Sequence, residues 1–237
     1  MRGRAKDWET SVINCRRYAI YYTPPPGALA DFGATWLGWD IAAGERRRPP
    51  PEFGRADEVT AAPRRYGFHA TLKPPFRLVE DASQAALGDA VARLAGAIAP
   101  ARVDALKLSR LGPFIALVPD GEDGPLSHLA AALVRDLDAF RAAPSPGELA
   151  RRREKGLSSE EDANLVRWGY PYVMDAFRFH MTLTGPLDDR TATDTEAWLA
   201  PRLAPILPRP FEILEVTLAG EDENGFFHEI HRYPLAG

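Results

Sequence analysis

Along the chain, stretches where apolar and polar residues alternate give way to stretches where apolar residues recur every three or four positions, and the two rhythms take turns. Residues 17–23 read as a strand, 28–40 as a helix, and 44–65 as a long loop rich in proline and arginine. A second strand is predicted over about 67–73, ended by Pro74 and Pro75. Asp81 with Gln84 has the form of a capping box, and Leu87, Val91, Leu94 and Ile98 follow at helical spacing. A strand over 103–108 closes this half. The order of elements then restarts: a strand over 114–118, then a helix opened by Pro125 with Leu126, Leu129, Leu133, Leu137 and Phe140 on one stripe. An insertion over about 144–172 reads as two short helices, the second with a Ser158 and Glu161 capping box. Next come a strand over about 177–184 and a helix with Thr193 and Glu196 as its capping box. A hairpin of 211–218 and 226–233 turns at Glu223-Asn224-Gly225, where Asn-Gly supplies positive φ at little cost.

Two of these strands carry the same pattern, His69-Ala70-Thr71-Leu72 and His180-Met181-Thr182-Leu183. Residues two apart on a strand share a face, so each His and its Thr project together. By the same parity Gly67, Lys73, Arg178 and Thr184 lie on the histidine side, and Phe68, Ala70, Leu72, Phe177, Phe179, Met181 and Leu183 lie on the reverse. One face is polar and cationic, the other is ready to pack under helices. The expected architecture is α+β and bilobal, a duplicated unit whose two antiparallel-type sheets face a central cleft about a pseudo-twofold axis. The first repeat covers about 17–110 and the second about 111–237, within a single domain over 16–237 that follows a loosely ordered tail over 1–15.

Composition narrows the partners. A net charge of −4 argues against gripping long nucleic acid by its phosphates, while leaving room for a small anion held by local cations. Cys15 is the single cysteine, so no intrachain disulfide can form and a reducing compartment is expected. The first fifteen residues lack an apolar core, and no stretch offers about 18 apolar residues in a row, so a cytoplasmic protein without membrane contact is expected. The sequence leaves the oligomeric state open.

Two histidines and two threonines facing one space suit a phosphodiester. One imidazole can take a proton from the nucleophile while the other protonates the leaving oxygen on the far side of phosphorus, and the hydroxyls hold the nonbridging oxygens. No metal or other cofactor is expected. His228 and His231 fall on opposite faces of a strand, His128 sits in the first turn of a helix, and no carboxylate lies at ligand spacing from His69 or His180. There is no glycine-rich phosphate loop and no nucleophile elbow.

With its two intact His-x-Thr-x motifs, the chain resembles the 2H phosphoesterases. Residues 64–78 (RRYGFHATLKPPFRL), 111–119 (LGPFIALVP) and 167–187 (RWGYPYVMDAFRFHMTLTGPL) are similar to a subgroup of phosphonate-metabolism proteins of unknown function, and the likeness runs over nearly the whole chain from Tyr18. The resemblance implies a cyclic phosphodiesterase, with His69, Thr71, His180 and Thr182 as the catalytic set. It implies as substrate a small cyclic phosphate, either like a 2′,3′-cyclic nucleotide or 5-phosphoribosyl 1,2-cyclic phosphate. The second carries an additional phosphate, for which Arg64, Arg65 and Lys73 are the candidates because they flank the first motif. Arg178, Tyr18, Tyr66 and Tyr172 complete the expected substrate contacts, the tyrosines by stacking. The other reading is a module that binds nucleotides or sugar phosphates without turning them over. The insertion, which leads straight into the second motif, is a candidate lid.

Overall fold

The computed structural model describes residues 15–154 and 156–237. The tail expected over 1–15 therefore lies, Cys15 apart, outside the described residues, as does Lys155 of the basic insertion helix. The chain runs through β1 (Arg17–Tyr22), α1 (Ala28–Leu37), the short ribbon β2 (Trp39–Asp40) and β3 (Glu45–Arg46), α2 (Ala56–Val59), β4 (Ala70–Phe76), α3 (Gln84–Ala95), β5 (Ala101–Val103) and β6 (Leu106–Leu111). It continues through β7 (Phe114–Pro119), α4 (Gly124–Asp136), α5 (Pro146–Arg153), α6 (Ser159–Trp168), β8 (Met181–Thr182), α7 (Asp189–Leu203), β9 (Phe211–Ile213), β10 (Glu215–Glu221) and β11 (Phe227–Pro234).

The fold is α+β with antiparallel pairing throughout. Seven strands hydrogen-bond in the order β11-β10-β1-β4-β8-β7-β6. The two motif strands are thus central neighbours. They meet at one pair, Ala70 opposite Met181, which joins the two expected sheets into one ladder. The order also shows an exchange. Strand β10, from the second half of the sequence, lies beside β1, while β6, from the first half, lies beside β7; β5 and β9 pair with each other.

Side-chain alternation sorts the sheet into two faces. Tyr18, Ile20 and Tyr22 of β1, Ala70 and Leu72 of β4, and Met181 and Leu183 from the second motif join the main core. Helix α4 packs against β4 and β5, α3 against β10 and β11, and α7 against β7. Ala19 and Tyr21 face the other way, into a smaller cluster with Trp39, Ile41, Ala219 and Phe227. Helix α1 reaches both motifs: Trp36 Nε1 donates to Leu183 O at 2.7 Å, and Gly33 lets Phe68 lie on the helix backbone, where a Cβ would strike its ring.

Several local readings are corrected. Pro74 and Pro75 do not end the motif strand, because β4 runs on to Phe76. Three residues of β4 there span two of β1, from Lys73 opposite Ile20 to Phe76 opposite Tyr18, and a bulge has no need of every N–H that proline lacks. The second motif strand is only Met181–Thr182, since residues 177–180 have no ladder partner. Ser83, accepting from Ala86 N, caps α3 in place of Asp81, and Asp188, accepting from Thr191 N, caps α7 in place of Thr193. Glu196 pairs instead with Arg110. The Ser158 and Glu161 box stands, and Ser145 with Glu148 forms another that opens α5. At the hairpin, Asp222 accepts from Asn224 N and Phe226 N while Gly225 takes φ 84°.

Met181 is fully buried at the seam. Met181→Ala is expected to cost about 2–5 kcal/mol of stability, read as a lower urea midpoint at unchanged slope.

Candidate active site

Continuing the pairing of Ala70 with Met181 by one residue each way sets His69 opposite Thr182 and Thr71 opposite His180. Ala70 and Met181 point into the core, so the four flanking residues share the other face, and all four line one cavity of about 640 Å³. Side chains directly opposite in an antiparallel pair stand about 4.5–5.5 Å apart at Cβ and diagonal ones about 7–8 Å. Each histidine therefore has a threonine beside it on its own strand and another across the seam. The two imidazoles occupy a diagonal of this face.

Both rings are set by the same device. His69 Nδ1 donates to Gly67 O at 3.0 Å and His180 Nδ1 to Arg178 O at 2.8 Å, in each case the carbonyl two residues back. A carbonyl can only accept, so Nδ1 carries the proton and Nε2 of a neutral ring carries the lone pair. Nε2 of His69 takes the Thr71 hydroxyl at 3.0 Å. Nε2 of His180 has no protein partner among the described residues.

Their surroundings differ. Tyr21, which is opposite Thr71 on β1, stacks on His69 with ring centroids 3.8 Å apart. Burial brings the His69 pKa down to about 4, the Gly67 hydrogen bond resists the shift, and the neighbouring His180 adds to it. His69 is thus a neutral imidazole with an available lone pair across the ordinary pH range. His180 has the Phe114 ring at 5.8 Å.

Of the expected substrate contacts, Tyr66, Tyr172 and Arg178 line this cavity. Four others, Lys73, Tyr18, Arg64 and Arg65, do not. Lys73 shares the motif's parity in sequence, but with Thr71 opposite Tyr21 and Lys73 opposite Ile20 the strand carries an extra residue at Leu72. The bulge turns Lys73 to the core face, where Nζ donates to Val134 O at 3.0 Å and burial pushes its pKa down to about 8. Tyr18 lies on the core face of β1, its hydroxyl 3.3 Å from Gln84 Oε1. Arg65 is exposed, its Nη2 donating to the Tyr66 hydroxyl at 3.1 Å, and Arg64 is engaged by Leu37 O and Asp57.

In their place the cavity draws on residues the motifs did not indicate. Arg17 and Tyr21 come from the alternate face of β1, and Arg152 and Tyr170 come from the insertion. The insertion is held over the sheet by Arg77, just beyond β4, which bonds Glu148 through both terminal nitrogens at 2.8 and 3.0 Å. That pairing keeps the Glu148 carboxyl down at about 2. Asn164 Nδ2 fixes the strand-like end by donating to Val173 O at 3.0 Å. The segment expected as a lid contributes Arg152, Tyr170 and Tyr172 to the cavity lining. A smaller apolar pocket of about 270 Å³ opens beside it, sharing Tyr66, His69, Phe114 and Thr182.

His228 bonds Asp222 at 3.0 Å away from the cavity, and His128 is exposed. Among the described residues no three His, Cys, Asp or Glu side chains gather as a metal site, and no helix is long and apolar enough to cross a membrane.

Two variants test this geometry. Gly67 has φ 70° and a Cβ there would come within 2.6 Å of Ile41, so Gly67→Ala is expected to destabilise the protein by about 1–3 kcal/mol and to disturb the His69 ring, seen as a shift of its imidazole NMR signals. Lys73→Met is expected to change stability while leaving ligand affinity of the folded protein within about twofold, by calorimetry with inorganic phosphate.

The chain is 36% identical over 231 residues to a protein of Janthinobacterium sp. (strain Marseille) named ribose 1,5-bisphosphate phosphokinase PhnN, covering 93% of this chain and 51% of that protein. It is 39% identical over 186 residues to a protein of the same name from Laribacter hongkongensis (strain HLHK9), covering 78% and 43%. The chain thus spans about half the length of these curated relatives. Two solved structures, one titled as a phosphoesterase and one as E. coli LigT complexed with 3′-AMP, superpose over 94% of this chain and 99% of theirs, with TM-scores of 0.42 and 0.44 at 16% identity. The family described as "Protein of unknown function (DUF1045)" matches residues 71–228, from the first motif's threonine through the whole second motif, and the chain belongs to it.

Proposed function

We propose that the protein is a 2H-type phosphoesterase that opens a small cyclic phosphodiester by acid–base catalysis between two histidines, without a metal. The observation that carries this reading is the alternating set of His69, Thr182, Thr71 and His180 on one cavity face about the Ala70–Met181 pair. In-line displacement at phosphorus needs a proton acceptor and a proton donor on opposite flanks, and a diagonal pair of imidazoles meets that need.

His69 acts as the base. Its Nε2 is unprotonated at neutral pH, and the Thr71 hydroxyl now bonded to it gives way to the attacking water. The anionic substrate raises the proton affinity of His69 when it binds, which strengthens a base that is weak in the free protein. His180, with Nε2 open to the cavity, acts in its doubly protonated form: it gives the Nε2 proton to the leaving oxygen and is left as the neutral Nδ1–H ring, while His69 ends the step carrying the proton taken from water. Thr71 and Thr182 donate to the nonbridging oxygens, whose charge grows in the transition state. The products are a phosphomonoester and a free hydroxyl.

The names of the two relatives support a phosphorylated ribose as the substrate class, with a 2′,3′-cyclic nucleotide as the alternative. Nothing assigns their kinase activity to this chain, which lacks the G-x-x-x-x-G-K-S/T phosphate loop.

His69→Ala and His180→Ala are each expected to lower kcat/KM on a cyclic phosphate by about 10²–10⁴-fold, with the double variant far less impaired than the product of the two. Wild-type protein that binds cyclic phosphates and never opens them would instead be a binding module. Turnover abolished by a chelator and restored by zinc or magnesium would defeat the metal-free mechanism. Since His69 must be neutral to act as base, kcat/KM is expected to hold as pH falls through 6.5 and to drop only near pH 4.

A further inference from the structure

Tyr21 is fully buried, yet its hydroxyl has no hydrogen-bond partner. A buried donor without a partner costs about 1–3 kcal/mol, and Tyr21 lines the cavity beside the motif residues, so a ligand is the available source of a partner. The hydroxyl is within electrostatic reach of Arg17, Tyr66 and Tyr170, and of Glu221 behind Arg17.

Arg17 sits four residues before Tyr21 on the same face of β1, about 13 Å along the strand toward the Pro75 end of the cavity. Glu221 takes its Nε at 2.5 Å and its Nη2 at 2.6 Å. Guanidinium has five donors in a fixed fork, so this clamp fixes its direction and leaves Nη1 without a hydrogen-bond partner among the described residues. From the insertion, Arg152 stands over the Tyr170 ring at 4.7 Å. With Arg178, three arginines and, among the described residues, no carboxylate line the cavity of a chain whose net charge is −4. The ring phosphate of a cyclic phosphodiester carries one negative charge, which is fewer than this lining is built to meet.

We infer that Tyr21, Arg17 and Arg152 form a second anion subsite, and that the substrate is a cyclic phosphate bearing a separate phosphomonoester. The inference rests on the cyclic-phosphate reading for the first phosphate and adds the residues that take the second. It moves that role away from Lys73, Arg64 and Arg65, which are turned elsewhere. The Tyr21 hydroxyl and the Arg17 and Arg152 guanidinia donate to the phosphomonoester oxygens, and Glu221 holds the Arg17 fork in place. Plain nucleoside cyclic phosphates leave the Tyr21 hydroxyl unpaired and bind without this contribution.

Calorimetry on the full chain with two stable probes, adenosine 3′-monophosphate and adenosine 3′,5′-bisphosphate, tests the inference without requiring turnover. Wild-type protein is expected to prefer the bisphosphate by about tenfold or more. Tyr21→Phe removes only an unpartnered hydroxyl, and Arg152→Gln changes a position on the edge of the insertion; in each, the preference is expected to fall by about fivefold or more. A preference lost in either variant supports the subsite. A wild-type ratio near one, or a preference kept in both variants, overturns it. If the preference behaves as expected in a protein that opens no cyclic phosphate, the subsite stands and the catalytic reading fails.

Discussion

The contact between Ala70 and Met181 decides more than any other in this molecule. A strand shows its residues to alternate faces, so once these two small and flexible apolar side chains are set back to back in the core, the residues on either side must rise together on the far face. Slipping that register by one position would bury the histidines and expose the core. The large apolar face, from Ile20 and Leu72 to Leu183, prevents the slip, because its burial is worth far more than any hydrogen bond in the site. The chemistry is thus held in place by hydrophobic packing on the side of the sheet where no chemistry occurs.

Duplication supplied two equal motifs, and the walls around them made the motifs unequal. Each imidazole is oriented by the carbonyl two residues back, so the local geometry repeats. What differs is the packing: Tyr21 closes over His69, while His180 keeps an open ring nitrogen near Phe114. The two rings thus sit in unlike surroundings with no change in the residue type.

How far the sequence could be read depended on how far each feature was local. The strand alternation around His69 and His180 is written in neighbouring residues, and it placed those two with their threonines on one face. Lys73 was misplaced because the bulge at Leu72 is imposed by pairing with β1, a partner whose register local rules do not contain. Tyr18 and Tyr21 show the same limit: alternation separates Arg17, Ala19 and Tyr21 from Tyr18, Ile20 and Tyr22, yet which set meets the cavity depends on β4. The three alternating residues ending in Arg17, beside a wholly apolar set, were the signal available for the missed cation. Helix caps failed for a different reason. Ser83 and Asp188 lie within a few residues of Asp81 and Thr193, and short polar residues in such clusters allow more than one frame.

The exchanged edge strands bear on how such a chain can assemble. Because β10 completes the side begun by β1 and β6 completes the side begun by β7, neither half of the sequence owns a finished set of strands. Cutting the polypeptide between them would leave two fragments with open edges, each complementary to the other. Contacts such as Arg17 with Glu221 join residues 204 positions apart, so the entropy of a long loop closure opposes their pairing. The seam between β4 and β8 likewise exists only where Ala70 and Met181, far apart along the chain, have met, so the cavity face is a product of long-range pairing and of no local element.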